Sequence, residues 1–425
     1  MRAPASIGAR SDLERRLRTY GELAVKVGLN LRLGQRLLII GPLASGGVSL
    51  DAAPLVREIA ASAYRAGSPY VEAVWGDELL QVARFREAPR NSFGEYSNWF
   101  PKALVEHVEA GHAVMSVYAN DPDLLKDEDP DAISTVQQAT ARAVRAFREQ
   151  ISRNRTNWTV VAAASRGWAL RIFPDLAADE AVAQLWDAIG RLCRLDREDP
   201  IAAWASHLDA LAARRDHLNR KRFAALKYRG PETSLTIGLP EAHKWVSGRS
   251  VSRTGIAFAP NLPTEEVFTM PHRDRVDGTV RSSKPLSYGG TLIENFSLEF
   301  AGGRVVRVAA ERGEAVLRQL IAADEGAARL GELALVPHSS PISESGLLFY
   351  NTLFDENAAS HVALGSAYKD TLTGGEAMSE EEFERAGGNH SIVHVDFMIG
   401  SGSLDIDGVL SGGAIEPIMR HGEFV

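Results

Sequence analysis

Residues able to do chemistry crowd into two short stretches near the C-terminal end. FYNTLFDENAASHVALGSAYKDTL (349–372) carries Glu356, His361 and Tyr368, and HVDF (394–397) carries His394 and Asp396. Acid plus imidazole in neighbouring clusters is the donor set of a divalent metal site. Oxygen and nitrogen donors without sulfur suit Zn²⁺, Co²⁺ or Mn²⁺. Strand alternation in SIVHVDFMIG (391–400) puts Ile392, His394, Asp396 and Met398 on one face. Val393, Val395, Phe397 and Ile399 form the other, which is wholly apolar and must be buried. That sets His394 and Asp396 in an interior strand, where a carboxylate needs a partner. A metal ion and a hydrogen-bonded His–Asp pair satisfy this need equally.

The first stretch reads as a helix over about 358–369, capped by Asp355 or Asn357. Glu356 then lies on the preceding loop and His361 in the first turns. Tyr368, seven residues on, shares the face of His361. Taken alone, Glu356 and His361 read as a surface acid and a half-buried imidazole, because a spacing of five is no ligand spacing within a helix. Glu266 in NLPTEEVFTMPHRD and Glu332 at the head of the strand ELALVP each read singly as strand-end surface carboxylates. Together the picture changes. Glu266, Glu332, Glu356 and Asp396 bring four negative charges, which two divalent ions would neutralise, with His361 and His394 as neutral ligands. Ions ~3.5–4 Å apart clamp a water in the usual two-metal arrangement. Without them the carboxylates could not all stay ionised in one cavity.

The elements that must position these groups follow from the patterning. The chain has 425 residues and 45% hydrophobic content, which suggests two domains. Residues 1–12 read as a tail, followed by a helix from Leu13 to about Val27. Strands are expected at 36–41, 70–76, 113–119 and 158–164, with a helix over 51–66 ended by Gly67. This alternation implies βαβ units and a mostly parallel sheet. Helices at 179–195 and 201–219 place Trp186 and Trp204 in a core. Beyond about residue 226 short strands and glycines dominate, with Gly302-Gly303 as a hairpin turn. The expected fold class is α/β: an N-terminal α/β domain (1–240) and a C-terminal mixed α+β domain (241–425) carrying a dinuclear metal site.

Other features narrow the field. A net charge of −8 without a Lys/Arg stripe argues against nucleic acid as a partner. Cys193, the single cysteine, excludes an internal disulfide and a thiolate metal site. No apolar run is long enough to span a bilayer, and no secretory leader is visible, so a cytoplasmic enzyme is expected. GPLASGGVS (41–49) lacks the lysine of a phosphate-binding loop. His272, Arg273 and Lys284 read equally as cavity-lining groups or surface turns, and His338 as a loop histidine.

PTEEVFTMPHRDRVDGTV, DEGAARLGELALVPHSSPIS, FYNTLFDENAASHVALGSAYKDTL and HVDFMIGS, in that order, resemble the aminopeptidase T family, which includes the aminopeptidase S and PepS enzymes. VKVGLNLRLGQRLLI resembles that family's opening, so the resemblance covers nearly the whole chain. It implies metal ligands at Glu266, Glu332, Glu356, His361, His394 and Asp396, with Glu332 next to both metals. It implies a catalytic role for Tyr368; on chemical grounds the phenol is expected to donate to the developing oxyanion and Glu332 to move the proton to the leaving amine. It also implies a homodimer that acts on short peptides with a free N-terminus. The competing expectations are a two-metal amidohydrolase acting on non-peptide amides and a non-catalytic binding protein of the same fold.

Overall fold

The computed structural model describes residues 7–288 and 291–425. Two compact units divide it. One takes the chain up to Leu208 together with Arg249–Pro263; the other takes Asp209–Gly248 together with Thr264–Val425.

In the first unit, α1 (Ile7–Leu23) leads to β1 (Leu37–Ile40), α2 (Ala53–Arg65), β2 (Val71–Ala73), α3 (Glu78–Glu87), β3 (Ala113–Tyr118), β4 (Trp158–Ala162) and α4 (Ala178–Leu192). The four strands form one parallel sheet, in the order β2-β1-β3-β4. All four residues of β1 are buried, the unbroken apolar run of a strand covered on both faces. α2 gives way to Gly67, whose φ of +90° is a left-handed conformation that glycine adopts without strain. Trp186, Cys193 and Trp204 are buried, and the Trp204 indole donates to the Cys193 carbonyl at 2.7 Å. Residues 7–12 of the expected tail belong to α1, and the rest of it lies outside the described residues. Among the described residues no helix is long and apolar enough to cross a membrane.

Among its described residues the second unit holds two large antiparallel sheets and a two-stranded antiparallel ribbon. Its elements are β5 (Ala225–Gly230), β6 (Thr233–Gly238), β7 (Val246–Ser247), β8 (Val267–Thr269), β9 (Val276–Arg281), β10 (Leu286–Tyr288), β11 (Thr291–Ile293), β12 (Ser297–Ala301), β13 (Arg304–Ala309), α5 (Glu314–Ile321), β14 (Leu330–Leu335), β15 (His361–Gly365), β16 (His394–Met398), β17 (Asp405–Val409), β18 (Ile415–Arg420) and β19 (Glu423–Phe424). An eight-stranded sheet runs β13-β12-β9-β6-β5-β17-β18-β19, and a five-stranded sheet runs β16-β15-β14-β8-β7. The β12–β13 turn is Gly302-Gly303, both with positive φ.

Two expectations are corrected here. No helix forms over 358–369: after a short 3-10 turn at Glu356–Ala358 the chain enters β15. HVALG is buried at all five positions, and so short an apolar run fits helix and strand alike by periodicity. β14 and β16 decide the matter by taking its backbone hydrogen bonds from both sides. Neither Asp355 nor Asn357 caps a helix at Ala358. Asp355 instead accepts from the N–H groups of Phe349 (2.8 Å) and Asn351 (3.0 Å), folding the preceding loop back on itself. The second correction concerns β16, which is the edge of its sheet rather than an interior strand. Phe397 and Ile399 are buried as expected, but Val393 and Val395 are only half-buried, and among the described residues no strand pairs with the outer side of β16.

Candidate metal centre

The five-stranded sheet gathers the candidate ligands by register. Glu332 on β14 lies opposite Ala363 on β15, and Ala363 lies opposite Asp396 on β16. One step along, His361 stands between Ala334 and Met398, and Gly365 faces His394. Directly opposed residues point to the same side of a sheet, so these side chains share one face. Phe268 on β8 lies opposite Ala334 and joins that face. Glu266, two residues earlier and one outside β8, has the same parity. Ala363 and Gly365 put almost no side chain between the ligands, which leaves room at the centre.

The result is two triads sharing one carboxylate: Glu266, Glu332 and His361, and Glu332, His394 and Asp396. Within each, one ligand atom per residue lies within 4.8 Å of the others. His361 Nε2 stands 3.3 Å from Glu266 Oε2 and 3.6 Å from Glu332 Oε1. His394 Nε2 stands 3.6 Å from Glu332 Oε2 and 3.3 Å from Asp396 Oδ1. Glu332 thus turns one oxygen to each half.

The tautomers are set by the backbone. His361 Nδ1 lies 3.1 Å from the Ala359 carbonyl and His394 Nδ1 lies 2.7 Å from that of Ser366. A carbonyl only accepts, so each Nδ1 carries hydrogen and each Nε2 is left to face carboxylate oxygen. Two lone-pair atoms face to face need a cation between them, a proton or a metal. Without metal the proton fills that place. His361 is raised to about 10: burial opposes this, but a hydrogen bond to Glu332 and the charges of Glu266, Asp396 and Glu332 outweigh it. His394 is raised to about 10 in the same way, against burial, chiefly by Asp396. Burial first, then the charges of Glu332 and Asp396, push Glu266 to about 8 against the pull of His361. Burial works to raise Asp396 too, but the His394 charge holds it below its ordinary value. Glu266 Oε2 and Asp396 Oδ1 are buried and have no hydrogen-bond partner among the described residues. Such oxygens, facing imidazoles and lacking donors, fit a divalent cation well.

Over residues 13–424 the chain matches the family of thermophilic metalloproteases (M29). The chain belongs to this family. It is 48% identical to aminopeptidase 2 of Geobacillus stearothermophilus, covering 97% of this chain and 98% of that one. It is 45% identical to aminopeptidase AmpS of Bacillus subtilis, covering 97% and 99%. Wild-type AmpT from Thermus thermophilus superposes with a TM-score of 0.90 at 44% identity, covering 97% of this chain and 99% of that one. M29 membership implies the use of a divalent metal, and the two triads supply candidate ligands.

The remaining candidates are placed around this cluster. Glu356 belongs to neither triad. It is half-buried in the turn before β15, where the Asn357 amide donates to it at 3.4 Å. Burial, then the charges of Glu266 and Asp396, push its carboxyl well above the ordinary range. Tyr368 lies beyond β15, not on a helix with His361. Its ring is 4.7 Å from that of His394 and 6.3 Å from that of Phe268. It is 44% exposed, at the rim of the site. Desolvation by its neighbours, then the charges of Glu332 and Asp396, raise its phenol well above the ordinary value. Arg273 is engaged elsewhere, paired with Glu384 at 2.8 Å, and His338 Nδ1 meets Ser343 Oγ at 3.5 Å. Sequence reasoning missed Phe268, Ala363 and Gly365. Phe268 could have been found from its parity with Glu266, whereas Ala363 and Gly365 matter only through the strand register. Asn357, read from the sequence only as a possible helix cap, has a side-chain oxygen that accepts from the Glu265 N–H at 2.7 Å and ties the Glu266 segment to the turn bearing Glu356.

Proposed function

We propose that this chain is a metal-dependent aminopeptidase of broad specificity that releases N-terminal residues from short peptides at a dinuclear centre. The peptidase chemistry rests on M29 membership and on relatives named aminopeptidases. The observation that carries the dinuclear reading is Glu332, with one carboxylate oxygen toward His361 and the other toward His394. In this reading Glu266 and His361, joined by Glu356, hold one ion, His394 and Asp396 hold the other, and Glu332 is shared. Nitrogen and oxygen donors suit Zn²⁺, Co²⁺ or Mn²⁺. When bound, such a pair supplies Lewis acidity and a water acidified toward neutral pH.

The chain's own residues do the rest. A phenol held protonated, as Tyr368 is, donates a hydrogen bond to the carbonyl oxygen of the first peptide bond as negative charge develops there. We assign transfer of the proton to the leaving amine to Glu332, which lies between the two halves. The two duties of Glu332 separate in Glu332→Gln: loss of metal marks the holding role, and loss of turnover with metal retained marks the proton-carrying role. A free α-amino group is expected to be held at the anionic end of the site, which limits cleavage to the first residue.

The homodimer is supported by exposed apolar side chains in the first unit, Leu79 (76%) and Leu80 (71%) on α3. Light scattering of the double variant Leu79→Glu/Leu80→Glu checks this: a shift to monomer is expected. A cytoplasmic setting suits a chain whose one cysteine is a buried thiol outside any disulfide.

The test is a metal titration of chelator-treated protein, followed by cleavage of leucine nitroanilide and its N-acetyl form. Two ions per chain by mass spectrometry, activity returning with the metal, and inactivity on the blocked substrate are expected. Equal cleavage of the blocked form would replace the aminopeptidase with a general amidohydrolase. One ion per chain at full activity would remove the dinuclear reading.

A further inference from the structure

We propose that the outer edge of β16 docks the main chain of the peptide substrate as an added strand, within a cavity of about 250 Å³ that lies against that edge. The proposal rests on the aminopeptidase reading and extends it to the substrate beyond its first residue.

The edge carries the first half of the evidence. The Ile399 N–H donates to the Ser360 carbonyl (2.9 Å) and the Ser366 N–H to the Val393 carbonyl (2.7 Å). With the antiparallel register of β15 and β16, these bonds put residues 393, 395, 397 and 399 in the hydrogen-bonded pairs. The peptide groups of His394, Asp396 and Met398 therefore point away from the sheet. Met398 shows this directly, since its carbonyl accepts from the Ser283 N–H at 2.8 Å. That contact closes one end. At His394 and Asp396 no backbone partner is present among the described residues. The open stretch of edge is thus formed by two candidate metal ligands themselves.

The cavity carries the second half. His394, Val395, Asp396 and Met398 form its strand side, and Leu286, Leu348, Tyr350 and Asn351 are among the residues that line the rest of it. Tyr350 has a φ of +54°, a left-handed backbone that a bulky residue rarely holds. Strain of this kind concentrates where a wall is shaped for a ligand. An added strand lies ~4.8 Å from its neighbour, and main-chain pairing gives affinity without regard to side chain. A substrate held in this way keeps its free amine at the triads while its later residues pass along β16. Recognition by main chain also accounts for broad specificity, because every peptide offers the same groups.

Backbone-modified substrates test this on the unmodified, metal-loaded protein. A tetrapeptide is prepared with its second or its third peptide nitrogen methylated, leaving the scissile first bond unchanged. Because a strand alternates its N–H groups, one of the two methylated peptides is expected to lose about tenfold in kcat/KM, the worth of about one hydrogen bond, while the other stays close to the parent. Equal losses, or none, would overturn the docking. Leucine nitroanilide, which lacks these later bonds, is the control. If it is not cleaved by metal-loaded protein, the aminopeptidase reading fails instead. A second measurement does not depend on turnover. A tetrapeptide with its first bond reduced to CH₂–NH is expected to slow amide hydrogen exchange across residues 393–398, and its inactive methylated counterpart is not. Unchanged exchange with the unmethylated analogue would also overturn the proposal.

Discussion

Filling the metal centre at neutral pH should expel protons, and their number follows from the site. In the metal-free chain His361 and His394 are each raised to about 10, so both imidazoles are protonated at pH 7. Glu266, at about 8, is then about nine-tenths protonated. A metal ligand must give up its proton, so loading is expected to release about two protons from the imidazoles and nearly one from Glu266, with Glu356, also held well above the ordinary range, adding to that count. Each released proton makes metal affinity climb about tenfold per pH unit, so the two imidazoles alone give about a hundredfold per unit below pH 8. Calorimetric titration of chelator-treated protein with Zn²⁺ at pH 7, in buffers of different ionisation enthalpy, counts these protons. A count near zero would refute the reasoning, because it would mean that the imidazoles are neutral without metal and the carboxylates do not crowd them. The same groups set the stability of the metal-free fold. A histidine raised from 6.5 to about 10 contributes stability that is complete below pH 6.5 and lost as pH rises through 10. Glu266, raised from 4.5 to about 8, acts with the same sign across that lower window. The metal-free protein should therefore melt at lower temperature as pH climbs from 6 to 9, and the Tm gap to the loaded protein should widen.

Three substitutions probe separate parts of the site. Tyr368→Phe is expected to lower kcat by about 10²–10³ with metal content unchanged, measured by turnover alongside elemental analysis. Ala363→Leu drives a side chain between Glu332 and Asp396 at a fully buried position. It should cost about 1–3 kcal/mol in denaturant unfolding and reduce bound metal, and full metal content would show that the ligands do not converge over Ala363. Asn357→Ala removes the acceptor for the Glu265 N–H and the amide that bonds the Leu353 carbonyl at 3.1 Å. Unfolding should show a loss of about 1–3 kcal/mol, with weaker metal binding because the Glu266 segment is released from the turn.

How much of this was legible in the sequence depended on which property was being read. The parallel sheet of the first unit was, because LLII and AVMSVY are apolar runs set between helical patterns and punctuated by glycine. The Gly302-Gly303 hairpin was legible from its turn chemistry. The strand nature of His361 was not. HVALG has no polar residue after its histidine to break the tie between helix and strand, and the tie is settled by hydrogen bonds to β14 and β16, which lie far away in sequence. The edge position of β16 was hidden for the same reason, since an apolar face says that a strand is covered and does not say on how many sides. Residue types were easier to read than geometry. Glu266, Glu332, His361, His394 and Asp396 were chosen by chemistry, and they meet although the element assigned to one of them was wrong.

That convergence despite a wrong element has a physical cause. A helix and a strand differ in where they send a side chain seven residues on, so the proposed His361–Tyr368 face was vulnerable to the error. They differ much less in where a single buried side chain at the start of an element can go. Glu332 and Asp396 already lie on one face, two strands apart, and whatever element fills the gap must be narrow enough to let both carboxylates reach its centre. A helix in that place would take about 10 Å where one strand takes ~4.8 Å, and would hold the two flanking strands about 5 Å further apart. A strand whose central residue is Ala363 spaces them by two strand widths, each ~4.8 Å, and brings its own imidazole into the row beside them. The convergence of Glu332 and Asp396 on one face is therefore itself evidence for a strand at 361–365, and it outweighs a local periodicity that cannot discriminate.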